Sequence, residues 1–210
     1  MNHSAAVRHL KKSDPVMRRL IATVGPCRIE DECSTNEFGT LVDAIIYQQL
    51  SYKAAQTISR RFQSLFGRNG AGRMPRPEEI LRTPRRKLRS VGLSRQKLGY
   101  MRDLAAKAAD GTLHLRRFAS MTDDEVIANV TQVKGIGRWT AEMFLIFCLR
   151  RPDVLPVDDL GIQYAFQHAY GLRKLPSEAW MRRTAEPWRP WRTVASWYLW
   201  RARRKEIGAK

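Results

Sequence analysis

The sequence has no apolar run long enough to span a bilayer and no stretch with the wide apolar face of a membrane-surface helix. We therefore expect no membrane contact. Its three cysteines lack the even count of a disulfide framework and the paired spacing of a zinc or iron–sulfur site, which predicts ordinary thiols and no bound metal. The first twelve residues carry charge but no apolar core, unlike a secretory signal, so we expect an intracellular protein.

Acidic residues are scarce compared with basic ones. The 210 residues include 20 aspartates and glutamates against 38 lysines and arginines, a formal net charge of +18. The positive charges are spread along the chain rather than gathered in one tail, which favours a folded basic surface over a disordered arm. The length allows one domain or two small lobes. The expected partner is a polyanion.

The hydrophobic pattern has the helical period throughout and shows no alternation typical of strands, so the predicted fold is all-α. Residues 1–12 are expected to form a loosely ordered arm, and residues 68–75 a loop rich in glycine and arginine. Capping residues mark several helix starts. The predicted helices begin near Ser13, Asn36, Ala54, Pro77, Pro84, Ser94, Thr122, Arg138, Asp159, Ser177 and Pro190.

A tight hairpin is predicted where Gly135, Ile136 and Gly137 separate a polar helix from a strongly apolar one. Glycine adopts the positive φ values that such a turn needs, and Ile136 can fill the gap between the helices. The backbone amides that begin the second helix lack intrahelical partners, so they can bind a phosphate. A Gly-X-Gly sequence between helices can also be only a loop, but the basic composition and a downstream acidic pair favour the phosphate site.

Five segments together resemble the helix-hairpin-helix DNA glycosylase superfamily and, within it, the DNA-3-methyladenine glycosylase II family. They occur in the family's order and cover most of the chain from about residue 14 to 204. The segments are Ala44–Ser51, Gly92–Lys97, Val133–Ala141, Pro156–Ile162 and Trp188–Arg192.

The resemblance implies two helical lobes with a DNA-binding cleft between them. It predicts a central lobe over residues 43–155, with the helix-hairpin-helix at about 122–150. Residues 1–42 and 156–210 would complete the second lobe.

The resemblance also places a catalytic carboxylate at the start of the helix after the hairpin. The family has an apolar residue three positions beyond it, which matches Asp159 and Ile162 rather than Asp158. A carboxylate at a helix N-terminus is stabilised in its ionised form, and it can stabilise positive charge on a sugar or help a water attack it. Two aspartates before a helix are more commonly capping residues, a role that we assign to Asp158.

Trp139 occupies the position, two after Gly137, where relatives that also cut the backbone carry a Schiff-base lysine. The resemblance therefore implies hydrolysis without a lyase step. An indole face attracts a cationic alkylated purine, whereas core packing is the ordinary role of tryptophan. We expect Trp188, Trp191 and Trp197 to pack in the core, and we predict a base pocket formed by Trp139, Trp200, Met143 and Leu160. Some relatives line this pocket with tyrosines, and this sequence instead has Met143, Leu160 and Arg201 at those positions. The resemblance therefore does not determine which bases are substrates.

Flipping a nucleotide out of a duplex leaves a gap that a protein side chain can fill. By the resemblance, Gln49 with Leu50 beside it is the wedge, although a Gln-Gln pair at a helix end is otherwise simply exposed to solvent. The predicted phosphate contacts lie at the hairpin and after Gly92. They are Lys134, Gly135, Gly137, Arg138, Thr140, Arg95 and Lys97.

The sequence thus predicts a monomeric, monofunctional DNA glycosylase that excises alkylated purines of the 3-methyladenine and 7-methylguanine type from double-stranded DNA. No cofactor is expected, apart from a monovalent cation that the family's hairpin backbone often holds. One alternative is a non-catalytic helix-hairpin-helix DNA-binding protein. Another is a glycosylase for other damaged or mismatched bases.

Overall fold

The computed structural model describes residues 2–34, 36–67 and 71–208, with side chains as far as residue 203. Part of the loop expected at residues 68–75 therefore lies outside the described residues. No β-strand element occurs in these ranges, which confirms the all-α prediction, and none of their helices is long and apolar enough to cross a membrane. The α-helices are α1 His3–Ser13, α2 Pro15–Val24, α3 Glu37–Tyr47, α4 Tyr52–Ser64, α5 Pro77–Arg82, α6 Arg85–Arg89, α7 Arg95–Ala109, α8 Asp123–Val130, α9 Arg138–Phe147, α10 Leu160–Ala169, α11 Glu178–Thr184 and α12 Arg192–Gly208.

Two units divide the chain. The terminal unit is Met1–Cys33 with Leu145–Lys210, and the central unit is Ser34–Phe144. Both boundaries fall earlier in the chain than residues 43 and 155, where we expected them. The first differs because α3 packs on α4 and α7 and so belongs to the central unit. The second differs because α9 spans the boundary, with its last residues assigned to the terminal unit.

The expected N-terminal arm is wrong, because residues 3–13 form α1. Asn2 caps this helix by accepting a hydrogen bond from the amide of Ala5 at 3.0 Å. Ala6 and Leu10, one helical turn apart, are fully buried where α1 packs on α2 and α12. Two buried residues are enough to hold this helix because tertiary packing supplies most of its stability.

A buried carboxylate joins three segments of the terminal unit. Asp14 begins α2, where its Oδ1 accepts hydrogen bonds from the amides of Val16 and Met17 at 2.7 and 3.2 Å. Its Oδ2 accepts the hydroxyl of Tyr170 and, at 2.9 Å, the indole Nε1–H of Trp188. Asp14 is 8% exposed, so these donors replace most of the water that its carboxylate oxygens would otherwise bind.

In the central unit, α7 packs against α3, α5 and α6. Ser94 caps α7 through the amide of Lys97, and Thr122 with Glu125 forms a capping box at the predicted start of α8. The core includes the side chains of Leu41, Ile45, Phe62, Leu104, Phe118, Val130 and Phe144. The hairpin between α8 and α9 and the loop between α3 and α4 both belong to this unit.

Candidate active site and nucleic-acid interface

Asp159 is the N-cap residue of α10. Its Oδ1 accepts a hydrogen bond from the amide of Ile162 at 2.7 Å. The cap that we assigned to Asp158 is therefore wrong: Asp158 is exposed, and the side chain three residues before the Ile162 amide is the one that reaches it. The carboxylate of Asp159 is half-buried at the N-terminus of α10.

Trp200, on α12, donates its indole Nε1–H to the same oxygen of Asp159 at 2.8 Å. Its ring stacks on Phe147, with ring centroids 5.9 Å apart and planes 29° from parallel. The predicted pocket aromatic therefore bonds directly to the predicted catalytic carboxylate. Two donors, one from α10 and one from α12, set the direction of this carboxylate.

Gly161 leaves room for this arrangement. A Cβ atom there would lie 2.9 Å from Asp159 Oδ1 and 3.4 Å from the Trp200 indole nitrogen. The first contact is closer than real Cβ atoms come, so a larger residue would displace the carboxylate or the indole. A glycine in the first turn of a helix is costly unless space is needed, and this was the overlooked sequence signal for the packing. The adjacent Leu160 is 55% exposed.

The hairpin turn agrees with its prediction in one glycine and differs in the other. Gly135 has φ +82°, and a Cβ there would lie 2.2 Å from the ring of Tyr100. Ile136 is 4% exposed and fills the space between the helices as expected. Gly137, in contrast, is not in the left-handed region, and a Cβ there would meet nothing within 4 Å. Its missing side chain leaves open space at the start of α9.

A carboxylate on α7 holds the beginning of the turn. Asp103 Oδ2 accepts the backbone amide of Lys134 at 2.8 Å, and its Oδ1 accepts the Lys107 ammonium at 2.8 Å. Burial alone would raise the pKa of Asp103, but the bonds from Lys107 and from the Lys134 amide outweigh it and lower that pKa. The Lys134 amide is thus occupied, and its exposed side chain is the group that can meet a phosphate.

The first turn of α9 carries several predicted residues. The guanidinium Nε of Arg138 donates to Glu142, which is 2% exposed, at 3.1 Å, and half of the Arg138 side chain stays accessible. Thr140 is 8% exposed, which leaves little of its side chain for a phosphate. Trp139 is 46% exposed, so it is not a core tryptophan. Met143, one turn further along, is half-buried.

The loop after α3 presents the predicted wedge to solvent. Gln49 has φ +54°, a left-handed conformation that costs a non-glycine residue on the order of 1 kcal/mol or more. Gln49 is exposed, and Leu50 is 40% exposed. The side chain of Gln48 donates from Nε2 to the carbonyl oxygen of Gly135 in the hairpin at 2.8 Å.

Lys97 has a different contact from the one predicted. Its ammonium donates to the carbonyl oxygens of Ile46 and Gln48, at 2.7 and 2.6 Å, and so closes the C-terminal end of α3. Burial lowers the pKa of Lys97. We therefore correct its assignment from a phosphate contact to a helix C-terminal contact. Arg95 is exposed, and with Lys134 it lines an open depression of about 540 Å³.

Backbone carbonyls of the hairpin would be the ligands of the monovalent cation that the resemblance implies. Those of Val130, Val133 and Gly135 each accept one hydrogen bond, and each has a second lone pair for an ion. A second lone pair is common to carbonyl oxygens, so the cation at the hairpin stays a prediction of the resemblance. Among side chains in the described ranges, no group of three or more His, Cys, Asp or Glu could hold a metal ion.

The comparisons with known proteins agree with this description. The sequence model described as "HhH-GPD superfamily base excision DNA repair protein" matches residues 42–190. DNA-3-methyladenine glycosylase 1 of Schizosaccharomyces pombe is 36% identical over 195 residues, which are 92% of this chain and 84% of that protein.

Two solved structures share the fold over nearly the whole chain. The S. pombe 3-methyladenine DNA glycosylase in complex with abasic DNA has a TM-score of 0.80 at 35% identity, covering 93% of this chain and 95% of that one. The DNA-3-methyladenine glycosidase of Bacillus halodurans has a TM-score of 0.87 at 33% identity, covering 97% and 91%. The chain belongs to the HhH-GPD superfamily of base excision DNA repair proteins and, within it, to the DNA-3-methyladenine glycosylase family.

Proposed function

We propose that this protein is a monofunctional DNA glycosylase of base excision repair, which flips alkylated purines out of double-stranded DNA and hydrolyses their N-glycosidic bond. Relatives in the family are named for 3-methyladenine, and one is seen with abasic DNA, the product of such a reaction. The observation that carries the proposal is the carboxylate of Asp159, oriented at the start of α10 by the Ile162 amide and the Trp200 indole.

Asp159 is the proposed catalytic residue. As the bond between the base and the anomeric carbon breaks, positive charge develops on the deoxyribose, and a nearby carboxylate stabilises it electrostatically. The same carboxylate can accept a proton from the water that attacks the anomeric carbon. The products are the free base and an abasic site, with both strands intact.

Trp139 and Trp200 are the aromatic groups that we assign to base recognition. An alkylated purine such as 3-methyladenine or 7-methylguanine carries a positive charge, and an indole face attracts a desolvated cation by about 0.5 to 2 kcal/mol. The exposed face of Trp139 and the half-buried ring of Trp200 suit this role, and Met143 and Leu160 complete the proposed set. Because Trp139 is not an amine, it forms no Schiff base, and we expect no strand cleavage.

We assign the contacts with the DNA backbone to the central unit. The open space at Gly137, the amides at the start of α9 and the side chains of Lys134, Arg138 and Arg95 favour contact with phosphates. The exposed Gln49 and Leu50 are the proposed wedge that fills the gap left by the flipped nucleotide. We expect the protein to bind as a monomer.

The test is Asp159→Asn, with Asp158→Asn as the matched control. Asparagine can accept the same bonds from the Ile162 amide and the Trp200 indole, so the fold and the helix cap should persist while the charge is lost. We expect the release of methylated purines from alkylated duplex DNA to slow by about 10² to 10⁴, the range for one positioned acid–base or electrostatic group. Asp158→Asn should keep the parental rate.

Release at the parental rate by Asp159→Asn would exclude this residue as the catalytic group. Intact alkylated DNA after incubation with the unmodified protein would instead support a non-catalytic DNA-binding protein. Release of only mismatched or oxidised bases would refute the alkylated-purine assignment. Chromatography of the free bases and alkali cleavage of abasic sites distinguish these results.

A further inference from the structure

The wedge loop and the hairpin turn are both bonded to one helix of the central unit. On α7, Lys97 bonds the carbonyls at the end of α3, just before the wedge. Tyr100 packs its ring against Gly135, and Asp103 accepts the amide of Lys134, both in the hairpin. These three residues are spaced three apart along α7, so they share one broad face of the helix.

A direct bond also links the two segments. Gln48 precedes the wedge in the chain, and its side-chain amide donates to the carbonyl oxygen of Gly135 at 2.8 Å. Its own carbonyl oxygen accepts the ammonium of Lys97 at 2.6 Å. The residue beside the wedge is therefore bonded at its backbone to α7 and at its side chain to the phosphate-binding turn.

Gln49 shows why such bonds are needed. Its left-handed φ of +54° is unfavourable for a residue with a Cβ atom, and conformations of this kind persist where the surroundings hold them. Lys97 bonds the carbonyl oxygen of Gln48, in the peptide group that precedes this residue, and the Gln48 side chain bonds the hairpin. Without them the loop can relax to a commoner conformation and turn the wedge side chains away from their present direction.

We propose that Lys97 and Gln48 are positioning residues that hold the Gln49–Leu50 wedge at a set distance from the hairpin turn. The phosphate-binding turn and the gap-filling side chains can then contact the same DNA duplex at once. This inference rests on the proposed function and adds to it a part of the molecule that touches neither the base nor the sugar. Its consequence is specific to paired DNA. A base in single-stranded DNA has no partner to separate from and leaves no gap within a duplex.

The first test compares excision from duplex and from single-stranded DNA carrying the same alkylated purine. Lys97→Met keeps the aliphatic stem and removes the ammonium, and Gln48→Met removes the amide donor with little change of volume. We expect either variant to lower the duplex rate by about tenfold to a hundredfold, the effect of losing one charge-assisted bond or a bond that supports a strained loop. The single-strand rate should fall by no more than about threefold.

The control is Lys87→Met, which removes a charge from an exposed lysine on α6 of the same unit and should change neither rate. Thermal unfolding shows whether each variant is folded. Should Lys97→Met fail to fold, Gln48→Met tests the proposal alone, because its lost bond lies at the exposed surface. Equal loss on duplex and single-stranded DNA, or no loss on either, would overturn the proposal.

A second measurement does not depend on catalysis. Duplex DNA with an abasic site and 2-aminopurine in the opposing position reports wedge insertion as a change in fluorescence when the protein binds. We expect Lys97→Met and Gln48→Met to bind this DNA within about threefold of the parental affinity but to lose most of the fluorescence change. A full change in both variants would refute the positioning role, even if Asp159 proves not to be catalytic.

Discussion

Replacing Trp200 with phenylalanine isolates the hydrogen bond that directs the Asp159 carboxylate. Phenylalanine keeps an apolar ring that can stack on Phe147, but it has no N–H to donate to Asp159 Oδ1. The amide of Ile162 would continue to donate to this oxygen. The substitution therefore changes the orientation of the carboxylate and leaves most of the aromatic surface.

The size of the effect follows from the kind of bond. Hydrogen bonds to a charged group contribute about 1.5 to 3 kcal/mol, and the half-buried position of Asp159 favours the lower end. If this energy holds the carboxylate in its reactive direction, its loss slows the chemical step by about tenfold. Binding of DNA with an abasic site should stay within about twofold, because no phosphate contact is removed.

The assay is single-turnover excision of methylated purines from duplex DNA with enzyme in excess, so that binding and product release do not limit the rate. Trp197→Phe is the matched control, since Trp197 lies on the same helix and donates its Nε1–H at 2.8 Å to Glu32 instead. It should lose stability but keep its rate per folded molecule. An unchanged rate for Trp200→Phe, or an equal fall in both variants, would refute the orienting role.

Three further predictions concern a buried carboxylate in the terminal unit and the hairpin glycines and an ion pair in the central unit. Asp14→Ala removes a helix cap and two side-chain bonds, so the free energy of unfolding in urea should fall by about 3 kcal/mol. Gly135→Ala should lower the thermal unfolding temperature strongly because its Cβ would overlap the Tyr100 ring. Gly137→Ala should unfold at the same temperature as the parent but bind DNA more weakly. The hydrogen bond from the Arg73 side chain, and to a lesser extent the one from the Arg76 backbone amide, lowers the pKa of Glu79 from 4.5 to about 2. The stabilising effect of the ionised Glu79 is therefore present above pH 4.5 and is lost as the pH falls towards 2. The stability difference between the parent and Glu79→Gln should therefore shrink over that interval in acid titrations followed by circular dichroism.

Local chemistry explains which parts of the fold could be predicted from the sequence. The caps at Ser94 and Thr122 are bonds to amides three residues away, so the residue types and spacing are enough to predict them. The helix at residues 3–13 was missed because its apolar stripe is only two residues long and its partners lie on α2 and α12. Neither partner helix could be recognised from the segment itself.

In the candidate site too, local features could be predicted from the sequence and contacts between distant segments could not. Asp159 was found by its place before a helix and by resemblance, and the cap confirms its position at the start of α10 but does not test its role. The bond from Trp200, 41 residues further along the chain, could not be predicted, because it depends on how α10 and α12 pack. Lys97 was misassigned for a similar reason: an exposed-looking basic side chain after a helix cap predicts a phosphate contact, whereas its carbonyl partners lie some 50 residues away.

The terminal unit is built from two segments that lie on either side of the central unit in the sequence, and this affects the order in which its parts are synthesised. The ribosome makes α1 and α2, whose Leu10, Met17 and Ile21 are buried in the folded protein, before the central unit, and it makes α12 after that unit. At about 5 to 20 residues per second, the intervening central unit takes roughly 6 to 20 seconds to be translated, a time in which small domains commonly fold. Until α12 has been made, the chain lacks the Trp200 bond to Asp159, so the proposed phosphate-binding residues of the central unit would be in place before the proposed catalytic carboxylate is oriented.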